Sequence, residues 1–241
     1  NLLPIARDVI KHAKAGTMRK AKHVMRLPAS NYTDDNRFKD ELNNVIKRVP
    51  IVLGPSCEIP NPGDFKTINV AGISLILTRT KDGKANALMN VCSHRGACLS
   101  KEEKGNRKLF TCPYHGWSFS NSGKLVAISS ESDFGKIEKK NYGLKSLPIY
   151  ESAGLIWAIM NPDSEVDIPN FLSGYDNMLE TFAFSDWIFV SKRTFKGPNW
   201  KIAYDGYLEY YHVPVLHRET FGIDATNRGL YYSWGPHQHI K

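Results

Sequence analysis

Two short stretches of this 241-residue chain bring together side chains that bind metals. Cys92-Ser93-His94 and Cys112-Pro113-Tyr114-His115 each carry one thiol and one imidazole, and a glycine, Gly96 or Gly116, follows closely in both. Each directly follows a segment that reads as a β-strand, so two loops of one sheet could clamp a single centre. Four such side chains could hold a tetrahedral structural zinc, although zinc modules usually pair cysteines on one element and histidines on another. Further on, Asp205, Glu209, His212 and His217 share the segment Trp200 to His217. Asp205, Glu209 and His212 are spaced i, i+4, i+7 and would share a helix face. On an unbroken helix His217 would point about 140° away from His212. Pro214 lacks an N–H and opposes the carbonyl of Tyr210, so a bend there would let the two imidazoles converge.

The rest of the sequence must hold these groups in place. Residues 1–26 carry Arg7, Lys11, Lys14, Arg19, Lys20, Lys22 and Arg26 against Asp8 alone, much of the chain's net charge of +8. Without a nucleic-acid motif, this arm reads as a solvated helix face or as a site for an acidic electron-donor protein. Phe38, Leu42, Val45, Ile46 and Val49 have helical spacing, closed by Pro50. From there to about Met160, short β-type runs alternate with turns: Ile73 to Thr78, a Lys-Asp-Gly-Lys hairpin at 81–84, Ala85 to Val91, Lys108 to Thr111, Trp117 to Phe119, Lys124 to Ile128, and Leu155 to Met160. A strand is expected over Trp187 to Phe195 and a helix from near Pro198.

The composition, 41% hydrophobic and 23% charged, is that of a globular protein, and no apolar run approaches the roughly 18 to 20 residues that span a bilayer. No membrane or nucleic-acid role is expected, and the expected location is the cytoplasm. The chain starts at Asn1 without a signal peptide, so an earlier N-terminus is expected. Cys57 and Cys98, outside the paired loops, are expected to be small buried residues.

Cys-x-His-x-Gly followed by Cys-x-x-His-Gly resembles the Rieske signature over Val91 to Phe119. The downstream acid and histidine spacing resembles the iron motif of Rieske non-haem iron oxygenase alpha subunits. The resemblance implies a [2Fe-2S] cluster with one iron on Cys92 and Cys112 and the other on His94 and His115. It also implies a mononuclear Fe(II) on His212 and His217, whose third ligand, a carboxylate, would lie beyond residue 241. Glu209 falls where most members have Asp, the acid thought to link a neighbouring subunit's cluster histidine to the iron. Asp205 takes the more variable upstream acidic position, one layer out from the metal. Tyr114 stands where high-potential Rieske proteins have a disulfide cysteine, which implies a lower-potential cluster.

The implied fold is α+β: a helical arm over 1–49, an antiparallel β Rieske domain over 50–160, and the beginning of a helix-grip catalytic domain over 161–241. The implied activity uses O2 and electrons from NAD(P)H, passed through a reductase or ferredoxin. It would hydroxylate or oxidatively demethylate a small, aromatic substrate in a homotrimer or an alpha/beta hetero-oligomer. The rival reading is a Rieske ferredoxin that only carries electrons, which resembles residues 60 to 160 alone. His237 and His239 would share a face if their segment is a strand, outside either motif.

Overall fold

The computed structural model describes residues 3–240, so only the outermost ends of the expected first and last segments, residues 1, 2 and 241, lie outside it. The chain divides into residues 1–34 and 35–241. In the first unit, helix α1 (Leu3–Ala15) and the short helix α2 (Ser30–Thr33) bracket an irregular stretch. Asp8 pairs with Arg19 at 3.0 Å.

The second unit starts with helix α3 (Asp35–Glu41), which widens into a π turn over Leu42–Ile46. Strands β1 (Ile51–Pro55), β2 (Asp64–Val70), β3 (Ile73–Arg79), β4 (Ala85–Met89), β5 (Lys104–Asn106), β6 (Leu109–Thr111), β7 (Ser118–Ser120), β8 (Leu125–Ala127), β9 (Ile149–Ser152) and β10 (Leu155–Ala158) follow. They form three antiparallel sheets, ordered β4-β3-β2-β5, β1-β10-β9 and β6-β7-β8.

Two hairpins turn on the same dipeptide. Ala71-Gly72 joins Val70 to its partner Ile73, and Ala153-Gly154 joins Ser152 to Leu155. All four turn residues have positive φ, 52° and 80° in the first pair and 52° and 70° in the second. That is the two-residue geometry matching the right-handed twist of paired strands, and the glycine adopts it without strain.

One core cluster, with Phe65, Ile76, Leu88, Phe110, Trp117 and Phe119 at its centre, includes Cys92 and Cys112. A second packs β1 and β10 against β3 and β4 through Leu53, Leu75, Leu77 and Ile156. In a third, Ile168 and Leu172 of helix α4 (Ile168–Leu172) cover Trp157 and Ile159, with Tyr175 and Leu179 of helix α5 (Tyr175–Leu179) packed alongside. Both short helices after residue 161 thus rest on the sheet that holds β9 and β10. Helices α6 (Trp200–Tyr207), α7 (Val213–Leu216) and α8 (Arg218–Phe221) and the hairpin β11 (Tyr231–Trp234) to β12 (His237–Ile240) complete the chain.

The expected strand over Trp187 to Phe195 does not form. A strand needs a neighbour for its backbone groups, and no described strand pairs with this segment. Its apolar residues stay in solvent, Ile188 and Val190 each 83% exposed. The expectation of buried spare cysteines also fails: Cys98 is exposed, with its Sγ 3.3 Å from the Ser100 carbonyl, and Cys57 is half-buried. The loop carrying Cys98 turns its neighbour Leu99 inward instead.

Buried Arg79 on β3 grips Glu151 on β9 in a two-pronged pair, Nη1 to Oε2 at 2.6 Å and Nη2 to Oε1 at 2.8 Å, while its Nε donates to the Ile59 carbonyl. Burial is the largest influence and opposes the Glu151 charge, but the Arg79 hydrogen bonds, the Ser56 hydroxyl and the Arg79 charge together outweigh it and hold the carboxyl below its ordinary value. A carboxyl lowered by folding adds stability above its unfolded pKa of about 4.3, and that stability is lost as pH falls through the folded value. Glu151→Gln is therefore expected to lower the urea midpoint at pH 7 and to leave a smaller drop between pH 7 and pH 3 than the parent shows. Equal drops in the two proteins would refute this.

Candidate metal centres

The first candidate centre sits between two loops built alike. In one, between β4 and β5, the Cys92 N–H donates to the Ala97 carbonyl at 2.8 Å and the Gly96 N–H to the Cys92 carbonyl at 2.9 Å. In the other, between β6 and β7, the Cys112 N–H donates to the Trp117 carbonyl at 2.7 Å and the Gly116 N–H to the Cys112 carbonyl at 3.0 Å. Both glycines have positive φ, 75° and 68°, and a Cβ on Gly116 would also meet the Ser129 Cβ at 2.9 Å. Glycine therefore closes each turn, and each turn presents its cysteine and histidine to the same side.

The four side chains meet in like pairs. The two cysteines are buried and adjacent; burial, and then Cys112 beside it, push the Cys92 thiol above its ordinary pKa. The His94 and His115 rings lie 4.8 Å apart. Desolvation, then His115 and Arg95, lower the His94 pKa and favour neutral imidazole, the form that binds metals. Both Nδ1 atoms are buried without a hydrogen-bond partner. Buried polar atoms are rarely left so, and two orphaned ring nitrogens beside two thiols suit a group that takes them as ligands. Among the described residues no three of His, Cys, Asp and Glu converge on one ion position. The thiol pair and the imidazole pair suit a two-iron cluster with one iron at each pair.

Asn90 anchors the first loop, a role the sequence reading missed. Buried at the end of β4, its Oδ1 accepts from the Leu99 and Ser100 N–H groups at 3.1 and 3.0 Å, and its Nδ2 donates to the Ser100 carbonyl at 2.7 Å. Asn90→Ala would strand these buried groups, at about 1–3 kcal/mol each. The expected result is a lower melting temperature and a loop that holds the centre less tightly, read by thermal denaturation together with iron retention. An unchanged melting temperature would contradict the anchoring role.

The second candidate centre lies on α6 to α8. The Asn199 side chain caps α6 by accepting from the Lys201 N–H at 3.0 Å. Glu41 of α3 ties down the same helix end, accepting from Trp200 Nε1 at 3.1 Å and pairing closely with Lys201. The helix stops at Leu208. The break therefore precedes the expected position, and Pro214 does not kink a continuous helix. It sits in the first turn of α7, where its missing N–H costs nothing. Asp205, on α6, is exposed and does not line the cleft described next, whereas Glu209 lies between the helices and does.

Freed from the helix, Glu209 folds onto His212: Oε2 accepts from the His212 backbone N–H at 3.2 Å and Oε1 pairs with its Nδ1. The hydrogen bond to His212 holds the Glu209 carboxyl below its ordinary pKa. An ionised carboxylate only accepts, so Nδ1 carries a proton toward Glu209 and Nε2 is the ring nitrogen left for a metal. The His212 and His217 rings stand 5.2 Å apart. Both line a cleft of about 530 Å³ with Glu209, Tyr207, Tyr210 and Phe221. Two imidazoles lining one open cleft fit part of a two-histidine, one-carboxylate iron site. His237 and His239 lie on a strand, but His237 Nε2 is 3.0 Å from the Phe171 carbonyl and its ring stacks on Tyr175.

Residues 49–148 match the Rieske [2Fe-2S] domain, and residues 184–241 match the catalytic domain of the ring hydroxylating alpha subunit. The chain thus joins a Rieske domain to part of a ring-hydroxylating alpha-subunit catalytic domain, and its relatives are Rieske oxygenase large subunits. The glycine betaine monooxygenase oxygenase subunit of Pseudomonas aeruginosa is 29% identical over 87% of this chain and 48% of its own. The carnitine monooxygenase oxygenase subunit of Escherichia coli is 32% identical over 86% and 57%. A crystal structure of a quaternary ammonium Rieske monooxygenase bound to an inhibitor superposes with a TM-score of 0.77, at 26% identity, over 86% of this chain and 58% of that one. The chain spans about half the length of the curated relatives it matches. No described helix is long and apolar enough to cross a membrane.

Proposed function

We propose that this chain is the metal-bearing part of a Rieske non-haem iron oxygenase subunit that oxidises a small organic substrate with O2. The single observation that carries the reading is the pairing of two buried thiols with two imidazoles whose buried Nδ1 atoms lack a hydrogen-bond partner, upstream of two converging histidines. Cys92 and Cys112 would hold one iron of the cluster, His94 and His115 the other, and His212 and His217 the mononuclear iron. When bound, the cluster delivers single electrons and the mononuclear iron activates oxygen. A Rieske ferredoxin needs no second centre, so the cleft counts against it. The proposed division is an arm over 1–49, the Rieske domain over 50–160 and catalytic sequence over 161–241.

Glu209 fixes the His212 ring with its Nδ1 proton toward the carboxylate, and it is the proposed link to a neighbouring subunit's cluster histidine. Asp205, on the exposed face of α6, is the proposed outer acid, one layer out from the iron. The proposed partners are a reductase or ferredoxin fed by NAD(P)H and further subunits in a homotrimer or alpha/beta assembly, and the proposed location is the cytoplasm. One substrate reading is ring hydroxylation of an aromatic compound. A second is N-demethylation or hydroxylation of a quaternary ammonium compound, supported by Tyr207, Tyr210 and Phe221 beside the Glu209 carboxylate, a set suited to an organic cation. Oxygen uptake by the full-length protein with reductase and NADH, measured against both classes, tests the proposal. Substrate-dependent uptake with one class supports it, and NADH oxidation without uptake for any substrate would favour the electron carrier.

All four cysteines are free. Without a disulfide between the loops, the cluster potential is expected toward the lower end of the Rieske range of about −150 to +300 mV. Voltammetry placing it near the top would contradict this.

A further inference from the structure

We infer that Trp117 is a positioning residue for His94, its indole setting the plane in which that imidazole meets the cluster. The two rings are stacked, with centroids 4.6 Å apart and planes 6° from parallel. Phe134 meets both edge-on, at 5.9 Å from each, and Tyr142 meets the indole edge-on at 5.7 Å. The Tyr142 carbonyl accepts from the Ser93 hydroxyl at 2.7 Å, which ties this aromatic box to the residue before His94. The Trp117 carbonyl in turn receives the Cys112 N–H, so one residue braces a ligand in each loop. His115 is held differently, under a Tyr114 ring that is 58% exposed.

Trp117 is an unfavourable choice for mere filling. Only 2% of it is exposed, yet its Nε1–H has no partner, and a buried tryptophan usually finds one. An aliphatic side chain would fill the space without that cost but would offer no flat face. The box acts on rotation of the His94 ring, whose Nδ1 would otherwise swing away from the iron.

This inference rests on the cluster assignment, and the experiment separates the two. Full-length, cluster-loaded protein is reduced, and the couplings of the two histidine nitrogens are read by pulsed electron paramagnetic resonance. Trp117→Phe, which keeps a ring, should preserve both couplings. Trp117→Leu should move one coupling, leave the other, and lose its cluster about 10- to 100-fold faster. If the leucine variant does not accumulate, Trp117→Met takes its place with the same expectation. Unchanged couplings and retention in either aliphatic variant, even with a lower melting temperature, would overturn the inference. So would failure of both to fold while Trp117→Phe folds, because Trp117 would then serve the core. A parent protein without iron and sulfide would instead remove the cluster assignment itself.

Discussion

Glu209→Gln in the full-length oligomer is expected to leave both metal centres loaded and to collapse turnover. The carboxylate is placed to orient His212 through Nδ1 and the backbone N–H at once, and in the proposed assembly it also faces a neighbouring subunit's cluster histidine. Glutamine keeps the volume and one acceptor but loses the charge, so the His212 ring stays near its place while the link is broken. Replacing a partner of this kind typically costs about 10- to 100-fold, and the loss of a connection between centres should reach or exceed the upper end. Iron analysis with single-turnover reoxidation of a pre-reduced cluster separates the alternatives. Slow reoxidation at full iron occupancy supports the link. Near-normal reoxidation would make Glu209 an ordinary surface acid, and loss of the mononuclear iron would make it a ligand.

His94→Ala and Cys112→Ala are each expected to abolish the cluster and its visible absorbance. Each removes half of a like pair, and an iron left with one protein ligand at the cluster edge is not retained. The β framework should survive, because the loops are closed by backbone hydrogen bonds of their own and the strands pair independently of the four side chains. The expected readout is therefore a colourless protein with parent-like far-ultraviolet circular dichroism. A red-brown variant with full iron and sulfide would remove these residues from the ligand set.

Both loops were legible from their residues because the chemistry is local: a cysteine, a histidine two or three positions on, and a glycine to close the turn. The Lys-Asp-Gly-Lys hairpin was legible for the same reason. Strands β2 and β9 escaped because their hairpins turn on Ala71-Gly72 and Ala153-Gly154 rather than on asparagine or aspartate. Alanine at positive φ carries no propensity signal, and only pairing across the sheet holds it there. The break near Leu208 was hidden by Pro214, the louder residue, which in fact starts the next helix. What lets the chain leave the helix early is Glu209 satisfying the His212 N–H, a contact that helical spacing alone does not reveal.

Anchors that act over long separations left no mark in the pattern. Glu41 reaches Lys201 across 160 positions, Arg79 reaches Glu151 across 72, and even Asn90 closes a loop of 10. Each is one polar residue among many until the sheets and helices bring its partner alongside. The exposed Trp187 to Phe195 segment marks the opposite case, in which a run of strand-forming apolar residues is present without a described strand beside it to satisfy it.

The central claim is that Cys92, His94, Cys112 and His115 hold a [2Fe-2S] cluster, and metal and sulfide analysis of anaerobically purified protein tests it most directly. The account predicts two irons and two labile sulfides for each Rieske domain, with further iron bound at His212 and His217 in the full-length protein. Stoichiometric zinc with no labile sulfide would contradict it.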